Sequence, residues 1–142
     1  MNFSEIEKIF KDCEIINDRI VIHSNLYKTL KFIKDNYHFD MLKEIVAIDN
    51  MNNNLELQYR LYSICDEENL TVSITIDINS EVESVSSLYD SAIADEKEIY
   101  DLYGTKFSGN SELKRLYMPE SWEGHPLRKD YEMKDERLKW ND

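Results

Sequence analysis

Over residues 55–61 apolar and polar side chains alternate without a fault, and they do so again over residues 70–78. A period of two predicts strands with one buried and one wetted face. The β-branched cluster at 44–49 predicts a third strand. Its connectors to the others, 49–54 and 66–69, are short and rich in Asn and Asp, which predicts antiparallel hairpins. Helical spacing marks the rest. Phe3, Ile6, Ile9 and Phe10 predict one face of a helix over 2–11, and an extended stretch follows over 15–22, firmest at 19–22. Ser24 or Asn25 then caps a second helix that runs to about Asn36, with Leu26, Leu30 and Ile33 as its stripe. A last helix starts at Asp95, with Glu98 as the reciprocal member of a capping box, and stops at Gly104. The expected architecture is α+β: an antiparallel sheet with helices packed on one face, followed by an irregular C-terminal tail.

Composition divides the chain at the same point. All three glycines and both prolines fall between 104 and 126. Residues 1–103 hold 9 Lys/Arg against 21 Asp/Glu, whereas residues 104–142 hold 8 of each. This predicts an acidic, regular body over 1–103 and a neutral, extended segment over 104–142. The whole is one domain's length at 142 residues, with a formal charge of −12. That charge excludes a nucleic-acid partner, since phosphate contacts need clustered Lys and Arg. The longest apolar runs are about four residues, far from the roughly 20 that span a bilayer, and the N-terminus is acidic and amphipathic. A cytoplasmic protein without direct membrane insertion is expected. Cys13 and Cys65 lack metal-ligand spacing and are expected to be reduced, structural thiols. No metal and no cofactor of the chain's own is expected.

Candidate chemistry is sparse. Glu96, Glu98 and Asp101 form a close carboxylate group next to a possible turn, but Glu96 and Glu98 are two apart and point to different sides of a helix. A solvated helix start is the better reading than a metal or acid–base site. His125 has no Ser, Cys or carboxylate beside it to make a general base. The turn at 50–54 lacks the ligands of a calcium loop, and residues 104–109 lack the phosphate-loop order. Residues 121–131, SWEGHPLRKDY, carry Trp122, Leu127 and Tyr131 with no helical or strand period. Such side chains either fold back on the domain or dominate an interface, in which Arg128, Lys129 and Asp130 would meet complementary groups.

Residues 96–131 read EKEIYDLYGTKFSGNSELKRLYMPESWEGHPLRKDY. This resembles the signature of the 30-kDa subunit family, also called the C subunit, of complex I, the NADH:quinone oxidoreductase. That signature runs Glu-Arg-Glu, then Asp and Gly, then Phe-x-Gly-His-Pro-x-Leu-x-Arg, and closes Trp-x-Gly-His-Pro-Leu-Arg-Lys-Asp-Tyr. Lys97 stands where the family usually has Arg, and Asn110-Ser111 replace its first His-Pro pair. The short chain is also similar to relatives in membrane-bound [NiFe] hydrogenases and formate hydrogenlyase. The resemblance implies a non-catalytic peripheral-arm subunit of a membrane-bound oxidoreductase, peripheral on the inner face of the cell membrane. It implies packing on the large quinone-site or hydrogenase-like subunit and on the adjacent iron–sulfur subunit. Iron–sulfur clusters, and flavin or a Ni–Fe centre, would lie in those partners. The residues it assigns to contact with partner chains are Glu96, Glu98, Asp101, Gly104, Phe107, Leu113, Arg115, Trp122, Gly124, His125, Pro126, Leu127, Arg128, Lys129, Asp130 and Tyr131. Residues beyond about 110 are then expected to lack order, or to pack on a neighbouring copy, without the partner. An NADH:quinone oxidoreductase, a hydrogenase and a free-standing acidic binding domain or hydrolase are the readings compared.

Overall fold

The computed structural model describes residues 3–133. Asn2 and the stretch 134–142, both part of the expectations above, lie outside the described residues. A seven-residue helix α1 (Phe3–Ile9) leads into β1 (Cys13–Ile16) and β2 (Arg19–Ile22). Helix α2 (Leu26–Tyr37) follows, then β3 (Met41–Asp49), β4 (Asn54–Ser63), β5 (Glu68–Asp77), β6 (Glu81–Glu83), α3 (Ala92–Tyr103) and β7 (Lys106–Ser108). Five strands form one sheet in the order β1-β2-β5-β4-β3, antiparallel except where β2 runs parallel to β5. Strands β6 and β7 make a small parallel pair. The α+β expectation holds.

The alternation seen in the sequence sets the register. Leu55, Leu57, Tyr59 and Leu61 of β4 meet Ile76, Ile74, Val72 and Leu70 of β5 across the antiparallel ladder, and these side chains join one hydrophobic core with Leu26, Leu30 and Ile33 of α2. Burying a Leu, Ile or Val fully is worth about 1.5–3 kcal/mol each. The opposite face stays polar, with Arg19–Glu56 and Arg60–Glu44 ion pairs at 3.3 and 2.6 Å.

Several local expectations are corrected. The stretch over 15–22 is a tight hairpin, because Asn17 and Asp18 both take positive φ (49° and 60°), the geometry of a two-residue turn matched to strand twist. Ile9 is 53% exposed, whereas Ile6 is buried in the core and Phe10, just past the helix, packs against it. No side chain caps α2: Asn25 is left-handed, and the Ser24 hydroxyl donates to Asp12 at 2.8 Å. Cys13 is buried, donating its thiol to the Phe10 carbonyl, whereas Cys65 is exposed at a hairpin and holds nothing together. Helix α3 begins at Ala92, so Asp95 does not cap it. Its carboxylate instead accepts the Ile45 N–H of β3 at 3.0 Å. Ser91 donates to the Leu42 carbonyl and Tyr103 to that of Ala47. These three side chains occupy backbone groups on the free edge of β3, the place where an unpaired strand would recruit another chain.

Candidate docking site at the end of the third helix

Helix α3 carries the three acidic positions that the sequence placed in solvent, and two of them are inside. Glu96 and Asp101 are each 0% exposed, while Glu98 is exposed. Glu96 accepts from the Ser84 hydroxyl (2.6 Å), the Val85 N–H (2.8 Å) and the Asn110 amide (2.9 Å). Burial pushes its carboxyl above the usual range, against the pull of those donors and with Asp95 adding to the rise. The Asn110 that departs from the family pattern thus supplies a donor to this carboxylate. The neighbouring Tyr59 hydroxyl is buried without a hydrogen-bond partner among the described residues.

Asp101 anchors the irregular segment. Burial pushes its carboxyl up, but the Met118 and Tyr117 N–H groups and the Arg115 guanidinium hold it below the ordinary range. The distances are 3.0, 2.7 and 3.1 Å. Arg115 spends its planar fork on several acceptors at once: Nη1 also donates to the Asp101 carbonyl (2.7 Å), and Nη2 to the carbonyls of Trp122 and Gly124 (both 2.8 Å).

A helix leaves its last carbonyls unpaired, and here the following loop supplies their donors. Gly104, left-handed at φ 84°, returns its N–H to Tyr100. His125 Nδ1 lies 3.0 Å from the Asp101 carbonyl and the Leu127 N–H donates to Leu102 at 3.0 Å. A carbonyl only accepts, so the shorter Asp101 contact takes the hydrogen on Nδ1, and Arg115 Nη1, 3.3 Å from the same nitrogen, is then a neighbour and not a donor to it. Two glycines make this possible. A Cβ on Gly104 would stand 2.6 Å from the His125 ring, and one on Gly124 would stand 2.9 Å from the Tyr131 ring. Trp122 Nε1 donates to the Tyr131 hydroxyl at 3.1 Å, Arg128 pairs with Asp130 at 3.0 Å, and the Lys129 N–H donates to Asp49 at 2.8 Å.

Through residue 133 the loop is folded onto its own body, and the part of the expectation that concerns residues 134–142 lies outside the described residues. Of the residues the resemblance assigned to contact, Glu96, Asp101 and Phe107 lie in the interior, and Leu113 packs against the core. Arg115 and His125 face inward as braces, and Gly104 and Gly124 make room for the rings above them. Lys97 sits 3.8 Å from Glu112, at the start of the loop. Pro126 and Trp122 are half-buried, and Lys129 and Asp130 are exposed. Among the exposed charges of the loop, such as Lys114, Glu120, Glu123 and Glu132, four large apolar side chains also face outward: Leu116 (44% exposed), Tyr117 (65%), Leu127 (51%) and Met133 (57%). Beside them a cleft of about 530 Å3 is lined by Trp122, His125, Arg128 and Tyr131. Of that outward row the sequence had singled out only Leu127. A run such as Leu116-Tyr117-Met118-Pro119, apolar but without period, is the signal that marks the others. Asp49 and Asn110, which fasten the loop, carry no local signal.

The described residues thus form an α+β body with a braced C-terminal loop that exposes several large apolar side chains, and they hold no grouping of His, Cys, Asp and Glu suited to a metal. Residues 20–137 match the family of the respiratory-chain NADH dehydrogenase 30 Kd subunit, and the chain belongs to that family of complex-I-like subunits. It is 30% identical over 139 residues to the C subunit of the NADH-quinone oxidoreductase of Moorella thermoacetica, covering 93% of this chain and 94% of that one. With the C subunit of Geobacter sulfurreducens it shares 32% over 105 residues, covering 71% and 65%. With the longer C/D subunit of Phocaeicola vulgatus it shares 32% over 120 residues, 82% of this chain but 23% of that one. The fold is also that of a chain in the membrane-bound sulfane sulfur reductase, an archaeal respiratory membrane complex. That match has a TM-score of 0.80 at 21% identity and covers 99% and 91% of the two chains. No helix among the described residues is long and apolar enough to cross a membrane.

Proposed function

We propose that the chain is a scaffold subunit with no redox centre and no active site of its own, in a membrane-bound NADH:quinone-type oxidoreductase. Its C-terminal loop packs on the large quinone-site subunit beside the iron–sulfur subunit, and those neighbours hold the clusters and the flavin chemistry. The observation that carries this reading is the outward apolar row Leu116, Tyr117, Leu127 and Met133 on a loop whose polar groups are satisfied inside the chain. Large side chains presented from a rigid support bind with little ordering cost. The near-equal length of the Moorella relative supports the NADH-linked assignment. The archaeal complex with the same fold keeps a second assignment in view, a hydrogenase-type or related respiratory complex.

Affinity purification of the tagged subunit from solubilised membranes of its host tests the proposal, with partners identified by mass spectrometry. NADH-oxidising subunits among them support the first assignment. A nickel-site large subunit moves the protein to a hydrogenase. Repeated recovery of the chain alone in mild detergent overturns both.

A further inference from the structure

The edge of β3 is shielded but not filled. Ile45 offers its N–H to Asp95 and Ala47 its carbonyl to Tyr103, so both residues turn their backbone away from β4 and toward α3. Helix and strand are held apart by the length of those side chains. A groove of about 270 Å3 remains between them, with Ala47, Ile99 and Leu102 among its apolar walls. One end is closed by Leu127, whose N–H is fixed to the Leu102 carbonyl. The other end is ringed by Glu44, Asp95 and Glu98. Glu44 meets Arg60 on the outer face, whereas among the described residues no cation comes within ion-pair distance of Asp95 or Glu98. Burial, aided by the charges of Glu98 and Glu44, pushes the Asp95 carboxyl above its usual range. A cation brought into the groove would relieve that.

We propose that this groove is a second docking surface, contiguous with the C-terminal loop through Leu127, and that it takes an extended segment of a partner chain with a Lys or Arg two residues from an aliphatic one. The aliphatic side chain would lie toward Leu102 and Leu127 and the cation between Asp95 and Glu98. Charge complementarity selects this occupant, since Asp95 and Glu98, which have no ion-pair partner among the described residues, repel an acidic segment and gain no charge partner from a neutral one. Side chains two apart on an extended segment lie on one side of it, which suits a slot of this volume. The inference rests on the subunit reading above.

Glu98→Lys in the full chain tests it, because Glu98 is exposed and the change leaves the braces of the loop untouched. The variant and the wild type, both tagged, are purified from host membranes. A photo-crosslinker placed at residue 98 in a third form of the chain identifies what lies in the groove. The expected result is a tenfold or greater loss of co-purified complex for Glu98→Lys, with an unchanged circular-dichroism melt. The crosslink should fall within two residues of a Lys or Arg on a partner protein, and Lys/Arg→Glu at that position should restore assembly of Glu98→Lys. Full co-assembly of Glu98→Lys overturns the proposal. So does a crosslink only to residues of this chain or of a second copy, or failure of the charge swap to restore assembly. Wild-type protein recovered without partners would overturn the subunit reading itself, a result distinct from these.

Discussion

Replacing Arg115 with Ala removes one side chain and disturbs three things. The guanidinium is 13% exposed and its partner Asp101 is fully buried. Without it, Asp101 keeps two amide donors but no cation, and the carbonyls of Trp122 and Gly124 lose theirs. Breaking a buried pair from one side costs about 3–5 kcal/mol, a large share of the 5–15 kcal/mol typical of a domain. Urea unfolding followed by far-UV circular dichroism should show a loss of that order. The acid limb gives a second reading. In the wild type the Asp101 carboxyl is held below its unfolded value. Its contribution is therefore present above about pH 4, where an unfolded Asp ionises, and is lost as pH falls through the folded value. In Arg115→Ala burial acts with less opposition, the folded value rises, and this part of the acid loss shrinks. The double variant Arg115→Ala/Asp101→Asn should cost less than the sum of the single changes, because the unpaired charge has gone with its partner. A loss under about 1 kcal/mol with the acid limb unchanged would refute the reasoning and put the pair on a par with exposed ion pairs.

Gly104→Ala sets a methyl group 2.6 Å from the His125 ring at a φ of 84°. It should destabilise by about 2 kcal/mol or more and speed amide exchange at Leu127, whose N–H is the next link to α3. Tyr131→Phe keeps the ring but loses the hydroxyl that accepts from Trp122 Nε1. A loss of about 0.5–1.5 kcal/mol, with faster exchange confined to 121–131, is expected by hydrogen-exchange mass spectrometry. Glu96→Gln tests the other buried carboxylate. Its raised value means that the wild type is favoured at pH below the unfolded Glu value of about 4.3 and loses that advantage as pH rises through the folded one. The gap between wild-type and variant melting temperatures should therefore narrow with rising pH across that window, and a gap constant with pH would count against it.

Strand alternation made β4 and β5 legible because a buried face imposes a period of two on neighbouring residues. The hairpin at Asn17-Asp18 escaped because four-residue strands are too short for their own period to separate them from one run. The burial of Glu96 and Asp101 was invisible for a different reason. Both lie where helix polarity alone predicts solvent, and the groups that satisfy them come from Ser84, Asn110, Arg115 and Tyr117, between 12 and 16 residues away. The motif over 122–131 drew attention to the loop, yet several of its most distinctive residues, His125 and Gly124 among them, prove to be fasteners, while much of the outward apolar surface is carried by Leu116, Tyr117 and Met133 outside it.

The last turn of α3 takes its donors from Arg115, His125 and Leu127, and so from chain made after the helix. At roughly 5–20 residues per second, the 26 residues between Asp101 and Leu127 take the ribosome about 1–5 s. During that interval the end of α3 stays frayed and the Asp101 carboxylate stays hydrated. The body cannot complete itself before the loop has been translated, so a ribosome halted between the two releases a product with an unfinished helix, a natural substrate for quality control.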